Sequence, residues 1–154
     1  DDRDVELDAP RIYGLPQTHK HLKEMTAIPG LVREPIFSPI VSDYYSGMLV
    51  SVPLHMDTLI RNHTLEGLHK YFEQYYEDEQ FVKVMPLGTE LNQGGFLSGN
   101  GCSGWDGIEI YLTGNDDRMV ISARFDNLGK GASGAAIQCL NIMLGCDEAK
   151  GLNL

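Results

Sequence analysis

The chain has 154 residues, a formal net charge of −10 and a sequence pI of about 4.8, which fits one domain with a real hydrophobic core. The acidic balance argues against nucleic-acid binding, since proteins that bind nucleic acids normally present a basic face. No segment approaches the ~18 consecutive apolar residues that a membrane helix needs. The cysteines, Cys102, Cys139 and Cys146, show no metal-site spacing, so we expect no metal and a reduced, cytoplasmic protein.

The first 47 residues are predicted to hold only short elements. In chain order these are an extended segment at 5–13, a short helix at 17–27 and a strand at 35–41. The helix is expected to end before Pro29-Gly30, because both residues break helices.

The middle of the chain carries clearer periodicity. Apolar residues alternate from Met48 to His55, which predicts a long strand, and Pro53 within it indicates a sheet edge or a bulge. Thr64 is a suitable N-cap for a helix that runs to about Glu77. The buried stripe of this helix is predicted to contain Leu65, Leu68, Phe72, Tyr75 and Tyr76.

The last third is predicted to form a hairpin and a closing helix. A strand at 81–86 leads into a glycine-rich irregular loop at 88–105, and a hairpin with its turn at 114–117 follows. The closing helix is expected at 131–144, with Gly145 as its C-cap. Its apolar ridge is predicted to contain Ile137, Leu140 and Leu144, with Cys139 in the core and Cys146 in C-terminal packing. This order of elements favours an α+β fold with a mostly antiparallel sheet covered by helices on one face.

Three side chains near the start of the chain could carry chemistry. Tyr13 precedes His19 and His21 by a short interval, and histidine is the natural general base near neutral pH. If a helix begins here, histidines two positions apart point about 200° from each other, so at most one would face a given site. A catalytic role, a metal pair and two surface histidines all remain open on the residues alone, although no third metal ligand stands out.

Two glycine-rich segments are further candidates. Cys102 lies in one of them, but no helix start or cation beside it would lower the pKa of its thiol, so we do not expect a nucleophile. The segment from Asn127 to Gly134 is more specific, because Lys130 and a helix N-terminus bring positive potential to a place with little side-chain bulk. Either a bound group or close packing of the helix against its own sheet explains this composition.

Two motifs resemble one known family. Residues 13–25, YGLPQTHKHLKEM, resemble the Y-x5-H-K/R-H-x-P-E-M/I motif of N-acetyl-gamma-glutamyl-phosphate reductases. Residues 125–145, FDNLGKGASGAAIQCLNIMLG, resemble the FDNLxKGAxGxAxQxxNxMxG signature of the same family, which aspartate-semialdehyde dehydrogenases share in looser form. The motifs occur in the family's order, and the resemblance covers nearly the whole chain.

The resemblance implies an NADP-dependent reductase of arginine biosynthesis that acts on an acyl phosphate, N-acetylglutamyl 5-phosphate. In this family a cysteine thiolate displaces phosphate to form a thioester, and hydride from NADPH then releases the semialdehyde. The family's Rossmann-like N-terminal domain and cysteine motif are absent from this chain. Residues 1–154 are therefore expected to be a single substrate-binding and dimerisation domain, similar to the C-terminal domain of glyceraldehyde-3-phosphate dehydrogenase and catalytically inert alone.

The resemblance also implies roles for individual residues. His19 is expected to be catalytic, as the acid/base group that works with the cysteine, and Tyr13 and His21 are expected to bind substrate. The residues expected to contact the cofactor are Asn127, Lys130, Gly131 and Gly134. The expected partners are the missing N-terminal domain and further copies of the chain, joined through the sheet.

Two departures from the family pattern bear on the substrate. Lys23 stands where the motif usually has proline, and Ser46 stands where many members have arginine. The second change could remove a cation that meets a substrate carboxylate or phosphate. Two alternatives therefore remain: an acetylaminoadipyl-phosphate reductase of lysine biosynthesis, and a non-catalytic assembly or binding module of the same fold.

Overall fold

A computed structural model describes residues 4–59 and 63–154. The chain divides into two compact units, with the boundary between Tyr44 and Tyr45. Across the described residues, no helix is long and apolar enough to cross a bilayer.

The first unit consists of short elements. They are a 3-10 turn at Val5–Asp8, strand β1 at Arg11–Ile12, helix α1 at His21–Ala27 and strand β2 at Ile40–Val41. The prediction of an extended segment at 5–13 is wrong at its start, because the Asp4 carboxylate accepts the Glu6 N–H at 3.0 Å and begins the 3-10 turn. The strand predicted at 35–41 is shorter than expected, since β1 offers only two residues for pairing.

The second unit is built on a four-stranded sheet. Its strands are β3 (Met48–His55), β4 (Val82–Val84), β5 (Ile108–Gly114) and β6 (Arg118–Phe125). The spatial order is β3-β6-β5-β4, and only the β4–β5 pair is parallel. The α+β class with a mostly antiparallel sheet is thus confirmed. Strand β3 lies at the edge, as Pro53 indicated.

Helix α2 covers one face of this sheet. It spans Leu65–Tyr75, and its N-terminus is closed by the Thr64 hydroxyl, which accepts the Gly67 N–H at 3.0 Å. The core beneath it contains Met56, Ile110, Leu112 and Met119, against which Leu65, Leu68, Phe72 and Tyr76 pack. Tyr75 was wrongly placed in the stripe: it is 66% exposed and stacks on Tyr71.

The predicted hairpin joins β5 to β6. In its turn, the Asn115 side-chain carbonyl accepts the N–H groups of Asp117 and Arg118 at 3.0 and 2.9 Å. Such an asparagine closes a tight turn by replacing a backbone acceptor. Because the turn fixes the register, Glu109 of β5 lies directly opposite Arg124 of β6.

The end of the chain differs from a simple helix. A π-helical turn at Gly129–Ser133 leads into α3 at Gly134–Met143. Gly145 has φ +65° and ends the helix through two backbone bonds: its N–H to the Ile142 carbonyl, and the Cys146 N–H to the Asn141 carbonyl. This is the predicted C-cap.

The apolar ridge of α3 is not in the core. Ile137, Leu140 and Leu144 are 39%, 51% and 67% exposed, and Cys139 and Cys146 are exposed as well. The prediction of buried packing for these two cysteines is therefore wrong. The physical reason is that α3 buries only Gly134 and Asn141 among its own residues, so its apolar side is left uncovered.

Candidate active site

The first unit gathers aromatic rings around His19. The His19 ring centroid lies 4.9 Å from those of His21 and Phe37 and 5.9 Å from that of Tyr13. We call these four residues the imidazole cluster. The structure thus brings together His19, Tyr13 and His21, the three residues that the first motif singled out. The two histidines are neighbours because His19 lies before α1, which begins at His21. The angle of about 200° that separates positions two apart on a helix therefore does not apply to them.

One long hydrogen bond favours one tautomer of the His19 ring. Its Nδ1 accepts the backbone N–H of His21 at 3.3 Å. A neutral imidazole that accepts at Nδ1 carries its proton at Nε2. His19 therefore presents a proton donor at Nε2, and its ring is half-buried, which leaves part of it accessible.

His21 is oriented by its own helix. Its Nδ1 lies 3.0 Å from the Glu24 carboxylate, three positions further along α1. Residues three apart on a helix are neighbours on its surface, so this pair could have been predicted from the motif. The carboxylate accepts the Nδ1 proton and leaves Nε2 of His21 as the acceptor side of the ring.

Sequence reasoning missed Phe37, a member of this cluster, and Gln17, which holds the Phe37 main chain. The Gln17 side-chain amide donates to the Phe37 carbonyl at 2.7 Å and accepts the Phe37 N–H at 2.9 Å. The two residues are 20 positions apart, and no local pattern connects them. Phe37 in turn forms one wall of the cluster around His19.

In the second unit, a buried carboxylate joins three segments. Asp126 is only 4% exposed and accepts the Gly104 N–H at 2.6 Å, the Leu128 N–H at 2.8 Å and the Ser46 hydroxyl at 3.3 Å. The Gly129 N–H is a fourth donor. Burial alone would raise the pKa of this carboxyl, but the four donors outweigh burial and hold the pKa below its usual range.

Asn127 fixes the turn before β3. Its side-chain carbonyl accepts the Gly47 N–H at 2.7 Å. Gly47 has φ +125°, and a Cβ there would lie 2.3 Å from the Gly99 carbonyl oxygen, so no other residue fits this close approach. The Asn127 amide nitrogen has no hydrogen-bond acceptor among the residues that the structure describes, and it remains available as a donor.

The remaining residues of the second motif contact their own unit. The Lys130 ammonium donates to the Gln138 side chain and lies 4.6 Å from the centre of the Phe81 ring. A Cβ on Gly134 would lie 2.2 Å from the Asp106 carboxylate, and one on Gly131 would lie 3.1 Å from the Phe125 ring. Close packing therefore accounts for the small residues of this segment.

N–H groups at the start of the final helical segment are already bonded to Asp126. The N–H groups of Leu128 and Gly129, at the start of the π-helical turn, donate to the Asp126 carboxylate, and the Gly131 N–H donates to the Asp126 main-chain oxygen. These N–H groups are the ones that an anion would use at a helix N-terminus. The positive potential predicted here is thus directed at Asp126.

Ser46 and Cys102 are both buried. Ser46 is 5% exposed, and its hydroxyl donates a hydrogen bond to Asp126. It therefore cannot bind a substrate anion in place of the arginine that many family members have at this position. Cys102 is 4% exposed, and its thiol donates to Glu109 at 3.3 Å. Burial, together with the bond to Glu109, raises the pKa of Cys102 to about 11. A thiol that stays protonated at neutral pH is a poor nucleophile.

Within residues 4–59 and 63–154, no group of three histidine, cysteine or acidic side chains has an arrangement that could hold a metal ion. Two polar clusters contain residues of the sequence motifs. One is the imidazole cluster of the first unit. The other, in the second unit, is the Asp126 cluster, which comprises Asp126, Ser46, Gly104, Leu128 and Gly129.

Comparison with known proteins supports an enzyme family. Curated relatives include N-acetyl-gamma-glutamyl-phosphate reductase 2 of Nostoc sp. strain PCC 7120, which is 46% identical over 145 residues. The reductases of Trichormus variabilis and Sinorhizobium fredii are 44% and 39% identical. These alignments cover 90–92% of the chain but 45% of each relative, so the chain spans about half the length of the curated relatives that it matches.

A family profile also matches most of the sequence. The profile described as the dimerisation domain of semialdehyde dehydrogenase matches residues 4–127, a range that includes the imidazole cluster and ends within the second motif. The chain therefore belongs to the semialdehyde dehydrogenase dimerisation-domain family.

Proposed function

We propose that this chain is the substrate-binding and oligomerising part of an NADP-dependent reductase in arginine biosynthesis. The reaction is the conversion of N-acetylglutamyl 5-phosphate into N-acetylglutamate 5-semialdehyde. The observation that carries the proposal is the His19 imidazole, which has three rings around it and whose Nδ1 accepts the His21 N–H. Relatives that are 39–46% identical and named as this reductase support it. The proposed compartment is the cytoplasm, where free thiols such as these persist.

The proposed chemistry needs a proton where His19 holds one. A cysteine thiolate from outside this chain forms a bond to the acyl carbon, and phosphate leaves with the electrons of the broken C–O bond. When bound, NADPH supplies the hydride that reduces the resulting thioester. His19 takes up the proton that the cysteine thiol loses, and the resulting imidazolium donates from Nε2 to the oxygen on which negative charge develops. His19 takes that proton back as the C=O bond re-forms and the C–S bond breaks, with the thiolate leaving on the sulfur's electron pair. Tyr13 and His21, both exposed at the edge of the imidazole cluster, are proposed to contact the phosphorylated substrate.

The cofactor-facing residues fit the proposal to different extents. Asn127 holds the turn with its carbonyl and keeps its amide nitrogen as a donor for a carboxamide group of a cofactor. Lys130 is engaged by Gln138, and burial lowers the pKa of its ammonium, although nearby Glu148 opposes this. Gly131 and Gly134 are packed on their own unit. We therefore propose direct cofactor contact for Asn127 and a shaping role for the other three residues.

The proposed oligomer uses the uncovered edge of the sheet. Met48, Val50 and Val52 of β3 are 40%, 44% and 49% exposed, although Ile121, the β6 neighbour of Val52, packs against the core beneath α2. A contiguous apolar strip on an edge strand is a recurrent feature of association surfaces. A second copy of the chain, covering this strip, would remove it from water.

The substitution Val50→Lys is expected to weaken self-association by at least tenfold, because it places a charge in the apolar strip. Sedimentation equilibrium of the purified chain measures this directly. Val5→Lys is the matched control, since Val5 is 80% exposed and lies outside the strip. Equal dimer dissociation constants for the Val50 and Val5 variants would rule out this surface.

A chimera tests the proposed reaction. This chain replaces the matching 45% of the Nostoc reductase, and turnover is followed with NADPH and N-acetylglutamyl 5-phosphate, or with the acetylaminoadipyl analogue. We expect the chimera to reduce the glutamyl substrate with the higher kcat/KM, and the isolated chain to show no turnover. A folded chimera that binds NADPH but reduces neither substrate, or an isolated chain that turns over, contradicts the proposal.

A further inference from the structure

We infer that Gln17 is a positioning residue that holds the His19 ring in place through Phe37, an inference that rests on the proposed acid/base role of His19. Within the described part of the chain, the Gln17 side chain makes its hydrogen bonds to Phe37 and none to either histidine ring. Gln17 stands out because, among the described residues, it is the one non-glycine residue with a positive φ, +57°. Residues other than glycine, asparagine and aspartate rarely adopt this backbone conformation. Those that do often lie at functional sites.

The strained backbone directs the Gln17 amide at the main chain of Phe37. Its Nε2 donates to the Phe37 carbonyl at 2.7 Å, and its Oε1 accepts the Phe37 N–H at 2.9 Å. The side chain thus satisfies both main-chain groups of one residue, as a neighbouring strand would. The bonds are exposed to water, so their net contribution to stability is small. A strained residue that gains little stability is best explained by what it positions.

Phe37 is the residue that this clamp fixes. Its ring lies 4.9 Å from the His19 ring at an interplanar angle of 50°. The opposite end of the same segment is held by the pairing of β2 with β1 and by the Tyr13 N–H, which donates to the Pro39 carbonyl at 3.1 Å. The segment 37–41 is thus fixed at both ends, and two walls of the imidazole cluster, Phe37 and Tyr13, are set by it.

The ring position matters because the only hydrogen bond at His19 Nδ1 within the described part of the chain is long. The His21 N–H lies 3.3 Å from Nδ1, near the outer limit of such bonds. This bond alone defines a tautomer weakly, whereas rings on three sides restrict rotation of the imidazole. Without Phe37 in place, His19 can rotate, lose the bond at Nδ1 and exchange its proton between the two nitrogens.

Nitrogen-15 chemical shifts of the His19 ring in the purified chain test this without any catalytic assay. In the parent chain we expect a single Nε2–H tautomer at pH 8. Gln17→Gly, which removes the clamp and also tolerates the positive φ, and Gln17→Asn, which keeps an amide but shortens its reach, should both give a mixture of tautomers. Phe37→Leu, which leaves its main chain available to Gln17, should do the same.

The same variants in the Nostoc chimera provide the kinetic readout. The Gln17 variants should lower kcat by about tenfold with little change in KM. Ile36→Ala is the matched control, because Ile36 is 91% exposed beside Phe37, and it should alter neither the shifts nor kcat.

Unchanged His19 tautomers in both Gln17 variants overturn the inference, as does an effect of Gln17 that Phe37→Leu fails to reproduce. An inactive parent chimera counts against the proposed reductase instead, because the tautomer measurement does not depend on turnover.

Discussion

The substitution Arg124→Met is expected to lower the free energy of unfolding by about 3–5 kcal/mol. The Arg124 side chain is 7% exposed, and its guanidinium lies 2.7–2.8 Å from the Glu109 carboxylate, which is 17% exposed. It also donates to the Tyr111 hydroxyl at 2.6 Å. Removing the cation leaves a buried carboxylate without its counter-ion, which is the costly part of the change. Urea unfolding at pH 7, followed by circular dichroism, measures the loss.

The matched control is Arg118→Met, since Arg118 lies at the exposed start of the same strand. We expect it to change stability by less than about 0.5 kcal/mol. The double variant Glu109→Gln with Arg124→Met should recover part of the loss, because no unpaired charge remains. If Arg124→Met is as stable as Arg118→Met, the account of this pair is wrong.

The pair also predicts a pH dependence. Burial alone would raise the pKa of Glu109, but hydrogen bonds from Arg124, Tyr111 and Cys102 lower it below its ordinary value of 4.5. A lowered folded-state pKa stabilises the fold fully above the ordinary value, and this contribution is lost as pH falls through the folded value. The difference between the parent chain and Glu109→Gln should therefore shrink below pH 4.5.

The substitution Asp126→Asn is expected to cost about 3 kcal/mol. Asparagine keeps the shape of the side chain but presents an NH₂ group to a position where donors converge. One of the N–H groups now 2.6–2.8 Å from the carboxylate, those of Gly104 and Leu128, is then left facing another donor. The loop at 104, the turn at Ser46 and the start of the final helix should loosen together. Hydrogen exchange of these backbone amides, read with urea unfolding, measures both effects.

Asp78→Asn is the control for this change, because Asp78 is exposed in the turn after α2. The pKa of Asp126 lies below its ordinary value of 3.8, so its charge stabilises the fold above that pH and ceases to do so as pH falls through the folded value. The cost of Asp126→Asn should be fully present at pH 7 and diminish in acid. Amide protection that stays unchanged in all three segments would show that Asp126 does not join them.

What the sequence could predict depended on how local the signals are. The hairpin at 108–125 and helix α2 carry their own turn, capping and periodic residues, so both were predicted with nearly correct bounds. The same register also places Glu109 opposite Arg124, and their opposite charges were a readable signal that the sequence reasoning did not use. Contacts between paired strands are thus accessible once the turn is known.

Other features depend on surfaces or contacts that no local pattern contains. The apolar side chains along the ridge of α3 have the pattern of a buried helix face, but nothing in the described chain covers them. Hydrophobicity alone therefore predicted their burial wrongly. The Gln17–Phe37 clamp joins residues 20 positions apart across irregular backbone, and a left-handed glutamine has no sequence signature. The first motif predicted which residues form the imidazole cluster but not the bonds that orient His19.

The most direct test of the central claim is the kcat of the Nostoc chimera carrying His19→Asn. As the proposed proton donor, His19 should contribute a factor of about 10² to 10⁴ in kcat, while NADPH binding, self-association and the unfolding midpoint stay as in the parent chimera. His55→Asn, at the exposed end of β3, serves as the matched histidine control and should retain full activity. A His19→Asn chimera with the parent kcat would contradict the account.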